Sequence, residues 1–274
     1  MADVQGSFAT SAVPGTRFTD VRWITETGST NADLLAAAAE GAPEGVVLVA
    51  DHQSAGRGRL DRTWVAPAGS SLLVSVLLRP QLAPADLFLL TAAAGVASVE
   101  AVAEVAGLRG GLKWPNDLVS LAPGPADRKL SGVLAESVLS EGGVAAVVVG
   151  MGLNVNWPAE LPEDLSTTAT ALNHLAGHEI DREALLVAWL RSLDRWLVAI
   201  GDGSDPAGRT ALFDALRSCS ATLGRRVRVE LDGSTVEGLA VGLDDQGRLS
   251  VAVDGPADPI LVSVGDVIHL RPVD

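Results

Sequence analysis

Two glycines interleaved with two arginines, Gly56-Arg57-Gly58-Arg59, follow an apolar run and lead on to Arg62 and Trp64. Glycine lets a backbone curl closely around a ligand and turn its N–H groups inward. Arginine forks suit phosphate or carboxylate oxygens, and an indole offers a face to a flat ring. The combination predicts an anion-binding loop with an aromatic neighbour. The competing reading is a solvated surface loop with Trp64 in the core.

Three further clusters carry similar chemistry. Lys113-Trp114-Pro115-Asn116-Asp117 packs a lysine, an amide and a carboxylate at one corner. Pro-Asn-Asp is also ordinary turn chemistry, but these side chains suit a ribose, a phosphate or hydrated Mg²⁺. Lys129 opens an otherwise apolar run, and Gly132 follows it. That lysine is either a solvated strand end or a point charge aimed at a carboxylate or α-phosphate, and Gly132 would let a flat ligand lie against the backbone. In Gly150-Met151-Gly152-Leu153-Asn154 the glycines suggest a β-bulge or a backbone in contact with ligand, with an amide at its end. Ser29-Thr30-Asn31 reads as a helix N-cap, which also makes a polar cradle.

The elements that must position these groups follow from patterning. The sequence predicts strands or strand ends at 17–25, 45–50, 71–79, 129–136, 144–150 and 153–156, and helices at 32–40, 84–106, 181–200 and 205–216. From about residue 224 short alternating runs with Asp232-Gly233 and Gln246-Gly247 turns predict a small β unit. The boundaries read as a flexible tail at 1–16, a catalytic domain at 17–219 and a C-terminal β-barrel at 220–274.

Bulk properties exclude several classes. With 274 residues, of which 47% are hydrophobic, the chain can bury one large core and a small one. A formal net charge of −14 argues against DNA and against anionic membrane surfaces. No uninterrupted apolar stretch of spanning length and no signal peptide are read, so a cytoplasmic protein is expected. Cys219 is the only cysteine, which precludes an intrachain disulfide. There is no P-loop, no complete Gly-x-Gly-x-x-Gly, no nucleophile elbow and no zinc signature. His174 and His178, four apart without a third ligand, read as surface, so no protein-held metal is expected.

Taken in order, ETGSTN (26–31), HQSAGRGR (52–59), KWPNDL (113–118), KLSGVLAE (129–136) and GMGLNVN (150–156) resemble the bacterial biotin protein ligase family. The resemblance implies an α+β fold: a mixed-sheet biotin/lipoate ligase-type catalytic domain, with helices on one side, and a small C-terminal SH3-like β-barrel. It implies formation of biotinyl-5′-AMP from biotin and ATP with Mg²⁺, then transfer of biotin to a lysine of a biotin carboxyl carrier domain. Lys129, Arg57 and Arg59 would be catalytic. Ser29, Thr30, Asn31, Gln53, Gly56, Arg57, Gly58, Arg59, Lys129, Gly132 and Gly152 would contact biotin. Arg59, Arg62, Trp64, Lys113, Asn116, Asp117, Lys129 and Asn154 would face ATP or the adenylate.

The family loop commonly reads Gly-Arg-Gly-Arg-Arg-Gly-Arg, whereas Leu60 and Asp61 stand here in place of the second Arg-Gly pair. The loop 54–63 is expected to order only over ligand. Only 25 residues precede Glu26, too few for the DNA-binding domain of some members, so the resemblance implies a ligase without a DNA role, as a monomer or weak homodimer. The alternatives are a lipoate–protein ligase, a non-catalytic biotin sensor or repressor, and an α+β protein with incidental motifs.

Overall fold

A computed structural model of the chain describes residues 12–60, 62–121, 127–140, 143–161, 163–255, 258–263 and 265–269. Its centre is a seven-stranded sheet built from β1 (Asp20–Thr27), β2 (Val46–Gln53), β3 (Ser71–Leu78), β4 (Gly110–Lys113), β5 (Asp117–Ser120), β6 (Lys129–Ser140) and β7 (Gly143–Asn154). The strand order is β1-β2-β3-β7-β6-β5-β4. Only β1 and β2 run parallel, and every other pair is antiparallel, so the sheet is mixed.

Alternation along the strands sends apolar side chains to both faces. Val47 and Val49 face one core and Val46 and Leu48 the other. The larger core is covered by α2 (Phe88–Ala106), α5 (Arg182–Ile200) and α6 (Pro206–Ser218). Trp189 of α5 is fully buried there, and its indole N–H donates to the Ala94 carbonyl of α2 at 3.2 Å. The smaller core belongs to α1 (Thr30–Ala39), which packs on the opposite face through Leu34 and Ala38. Helices therefore cover both faces, not one, and α1 is the exception that matters for the site.

By length and composition 84–106 is long and apolar enough to cross a membrane, contrary to the sequence expectation. Its apolar residues are spent on the core between the sheet and α5. Glycine at residues 150 and 152 produces no bulge: β7 is one continuous strand that pairs regularly there with β3 and β6. Two short helices, α3 (Glu163–Ser166) and α4 (Leu172–Ala176), are too short to leave a periodic signal. Val13 is buried in the main core, and Thr16 Oγ1 donates to its carbonyl. Packing therefore begins inside the segment 1–16 read as a tail, whose residues 1–11 lie outside the described residues.

The last strands form a separate five-stranded antiparallel sheet: β8 (Arg226–Leu231), β9 (Ser234–Leu243), β10 (Leu249–Ala252), β11 (Ile260–Val262) and β12 (Asp266–His269), ordered β11-β10-β9-β8-β12. All five strands feed one apolar core, including Val229, Ala240, Leu249, Val262 and Val267. Trp114 of the large unit packs against this core. The connecting segment extends the edge of the large sheet: Leu112 N–H donates to Cys219 O and Ala221 N–H to Leu112 O.

Candidate active site

The main cleft, about 370 Å³, lies on the α1 face of the sheet beside the N-terminus of that helix. Cross-strand neighbours share a face, and the pairs Ser75↔Gly150, Gly150↔Leu134 and Gly152↔Gly132 bring the three central strands together at its floor. A methyl built on Gly152 would stand 2.5 Å from Trp64 Cε2, and one on Gly132 would stand 3.2 Å from Trp64 Cζ3. Glycine at these positions lets the flat Trp64 ring lie close against the sheet at the edge of the cleft.

One wall is a hydrogen-bonded chain rooted in α1. Gln53 Oε1 accepts from Thr30 N–H at 2.7 Å. It thus satisfies one of the N–H groups a helix start leaves unpaired. Thr30 Oγ1 lies 2.7 Å from Ser75 Oγ, and Ser75 donates to Asn31 Oδ1 at 2.6 Å. Asn31 Nδ2 donates to Glu136 Oε2 at 2.8 Å, and Arg57 reaches the same oxygen at 3.1 Å. Sequence reasoning missed Ser75 and Glu136. The available signal was spacing: residues 132, 134 and 136 of one strand point to one face.

The opposite wall carries charge. Lys129 Nζ is 2.7 Å from Asp117 Oδ1 and 5.3 Å from the centroid of the Trp64 ring. Asn116 Oδ1 accepts from Arg59 at 3.2 Å, and its Nδ2 donates to Val133 O at 2.8 Å. The Gly/Arg segment is a small hairpin: Arg57 bridges Thr63, Gly58 N–H donates to Arg62 O, and Trp64 N–H donates to Gly56 O. Leu60 sits at its tip, 61% exposed and at φ +54°, a conformation β-carbon-bearing residues rarely adopt. Asp61 lies outside the described residues. Of the two departures from the family loop, Leu60 thus falls on the exposed tip and is not among the residues that line the cleft.

Fifteen of the residues singled out in the sequence line this cleft: Ser29, Thr30, Asn31, Gln53, Arg57, Gly58, Arg59, Arg62, Trp64, Lys113, Asn116, Asp117, Lys129, Gly132 and Gly152. Gly56 and Asn154 do not. Gly56 is buried behind Trp64, whose N–H it accepts. Asn154 is 2% exposed, and its Nδ2 donates to Lys129 O and Thr170 O, bracing the strand start from which Lys129 projects. Trp64, expected beside adenine, lies against Gly132 and Gly152, the glycines expected to contact biotin. Glu230, Val267 and Ile268 of the small sheet complete the cleft, which no local pattern announced. Burial pushes the Cys219 thiol up to about 11, which makes it a poor nucleophile. Among the described residues no group of three or more His, Cys, Asp or Glu could hold a metal ion.

Chemically, this is a cleft whose lysine and arginines suit two anions held side by side. Residues 25–154 match the Biotin/lipoate A/B protein ligase family, and residues 222–270 match the biotin protein ligase C-terminal domain. The chain is 42% identical over 254 residues to the biotin–[acetyl-CoA-carboxylase] ligase of Mycobacterium tuberculosis, covering 90% of this chain and 88% of that one. It is 32% identical over 248 residues to the enzyme of the same name from Paracoccus denitrificans, covering 89% and 98%. The biotin protein ligase of Aquifex aeolicus in complex with biotin and ATP superposes with a TM-score of 0.77 at 29% identity, covering 92% of this chain and 100% of that one. Fold, cleft and sequence converge, and the chain belongs to the biotin protein ligase family.

Proposed function

We propose that this chain joins biotin to ATP in the cleft and passes the biotinyl group to a lysine of a biotin carboxyl carrier domain. The observation that carries the proposal is Lys129, held between Asp117 and the Trp64 ring beside Gly132. Biotin lies in the cleft with its ring toward Ser29, Thr30, Asn31 and Gln53. Its carboxylate oxygen attacks the α-phosphorus, the bond to the β-phosphate oxygen breaks, and pyrophosphate leaves. Two anions must approach, and Lys129, Arg57 and Arg59 lower that repulsion. Arg62, Lys113, Asn116 and Asp117 face the nucleotide. The acceptor amine then attacks the biotinyl carbonyl carbon, the anhydride C–O bond breaks, AMP leaves and the amine loses its proton.

The oxygen donors fit Mg²⁺ only as a passenger of ATP. Asp117 and Asn116 could hold an ion already bound to phosphates, and no protein cage is needed. Bound there, the ion would neutralise phosphate charge.

Incubation with ATP, Mg²⁺, labelled biotin and a carrier domain tests the reading, with lipoic acid as the competing substrate. Label on the carrier supports it, and preferential use of lipoate overturns it. Arg59→Gly removes the contact that ties the hairpin to Asn116. Loss of one charge-assisted hydrogen bond is expected to speed release of the adenylate about tenfold. Filter-binding chase of labelled adenylate reads this, along with biotinylation of bystander lysines; unchanged retention would contradict it. Hydrogen exchange over 54–63 is expected to slow when biotinyl-AMP binds, since Arg57, Gly58, Arg59, Arg62 and Thr63 line the cleft and would gain the ligand as a partner. Equal exchange with and without ligand would refute a lid.

A further inference from the structure

A buried polar path joins the small β sheet to both arms of the cleft. Trp114 N–H donates to Thr222 Oγ1 at 3.0 Å, and Thr222 Oγ1 lies 3.1 Å from His269 Nε2. His269 Nδ1 lies 3.1 Å from Asp127 Oδ2, and Arg225 donates to the other oxygen of Asp127 at 2.7 Å. Trp114 is held a second time, its indole N–H donating to Gly247 O at 3.0 Å.

Burial, together with the charges of Arg225 and Lys113, lowers the His269 pKa despite the opposing pull of Asp127. Burial also opposes ionisation of Asp127, but bonds from Arg225 and His269 outweigh it and hold that carboxyl below its usual range. Asp127 further adopts φ +69°, a left-handed conformation that few residues other than glycine, asparagine and aspartate take.

Each end of the path stands next to the chemistry. Asp127 lies two residues before Lys129, and Trp114 two before Asn116 and three before Asp117. Lys129 and Asp117 meet on the charged wall of the cleft at 2.7 Å, from the paired strands β6 and β5. We infer that Thr222, His269 and Asp127 are positioning residues: through them the small β sheet braces, beyond the β5–β6 pairing that joins them, the corner that carries Asp117 and the strand start that carries Lys129. The inference rests on the ligase reading above and adds to it a role for the C-terminal sheet in the adenylation step.

The test is biotin-dependent ATP–pyrophosphate exchange with the full chain. Thr222→Val keeps the shape but leaves Trp114 N–H unpaired, while Thr222→Ser keeps the hydroxyl. A small misplacement of reacting groups is costly, so kcat for exchange is expected to fall about tenfold in Thr222→Val, with the KM for biotin within about twofold of the parent. Thr222→Ser is expected to restore kcat to within about twofold. Should Thr222→Val not fold, Asp127→Ala, which changes a turn, carries the same expectation of lowered kcat at unchanged biotin KM. Parental kcat in a folded Thr222→Val or Asp127→Ala protein overturns the inference, as does a Thr222→Ser protein no better than Thr222→Val. A parent chain without biotin-dependent exchange overturns the ligase reading and this inference with it, whereas exchange that Thr222→Val leaves untouched overturns this inference alone.

Discussion

Lys129→Ala is expected to cut single-turnover formation of biotinyl-5′-AMP by about 10²–10³-fold, the loss typical of removing one preorganised donor from a developing charge. The fold should survive. Lys129 is about one-third exposed and its partner Asp117 one-quarter exposed, so their ion pair sits in well-screened surroundings. Pairs of this kind contribute about 1 kcal/mol or less. The lysine ammonium is the only group in the cleft that lies against both the indole and a carboxylate of the Pro-Asn-Asp corner among the described contacts. Its removal takes from Asp117 its ion-pair partner where two more anions must meet. Rapid-quench adenylation with labelled ATP reads the effect, and thermal melting checks the fold. Wild-type adenylation by a folded Lys129→Ala protein would remove Lys129 from the chemistry.

The second large effect is expected at Gly152. In Gly152→Ala the new methyl would stand 2.5 Å from Trp64 Cε2 and 2.8 Å from Cζ2, closer than atoms can pack. Strand β7 is paired on both sides at this point and cannot retreat, so the indole must move. Overpacking of this kind costs about 1–3 kcal/mol. Here much of that cost falls on ligand binding, because Gly152 and the displaced ring both line the cleft. Biotin affinity is expected to weaken about 10- to 100-fold, measured by calorimetry with biotin alone. Gly132→Ala is the milder comparison: its methyl meets Lys129 Nζ and Trp64 Cζ3, both at 3.2 Å, which shifts of a few tenths of an ångström would relieve. Equal biotin affinity in Gly152→Ala and the parent would mean that biotin lies elsewhere. The two variants also separate the steps, since Lys129→Ala strikes chemistry hardest and Gly152→Ala binding.

The sequence by itself determined the chemical inventory of the cleft. Residue type and local spacing at Arg57, Arg59, Lys113, Asp117 and Lys129 already specify an anion site, and Ser29 announces the helix start that builds its polar wall. Helix and strand positions followed from periodicity because each element buries one face or both, which is a local property of the chain. What only the tertiary structure decided are relations across strands and between units. Asn154 turned out to brace the backbone of Lys129, and Gly56 to lie behind Trp64, because the pairing of β6 with β7 and the fold of the hairpin fix their directions. Ser75 and Glu136 entered the site because registers between distant strands place them beside Thr30, Asn31 and Arg57. The path from Trp114 through Thr222 and His269 to Asp127 spans segments remote in sequence. No local pattern encodes such contacts, since packing of one sheet against another selects them.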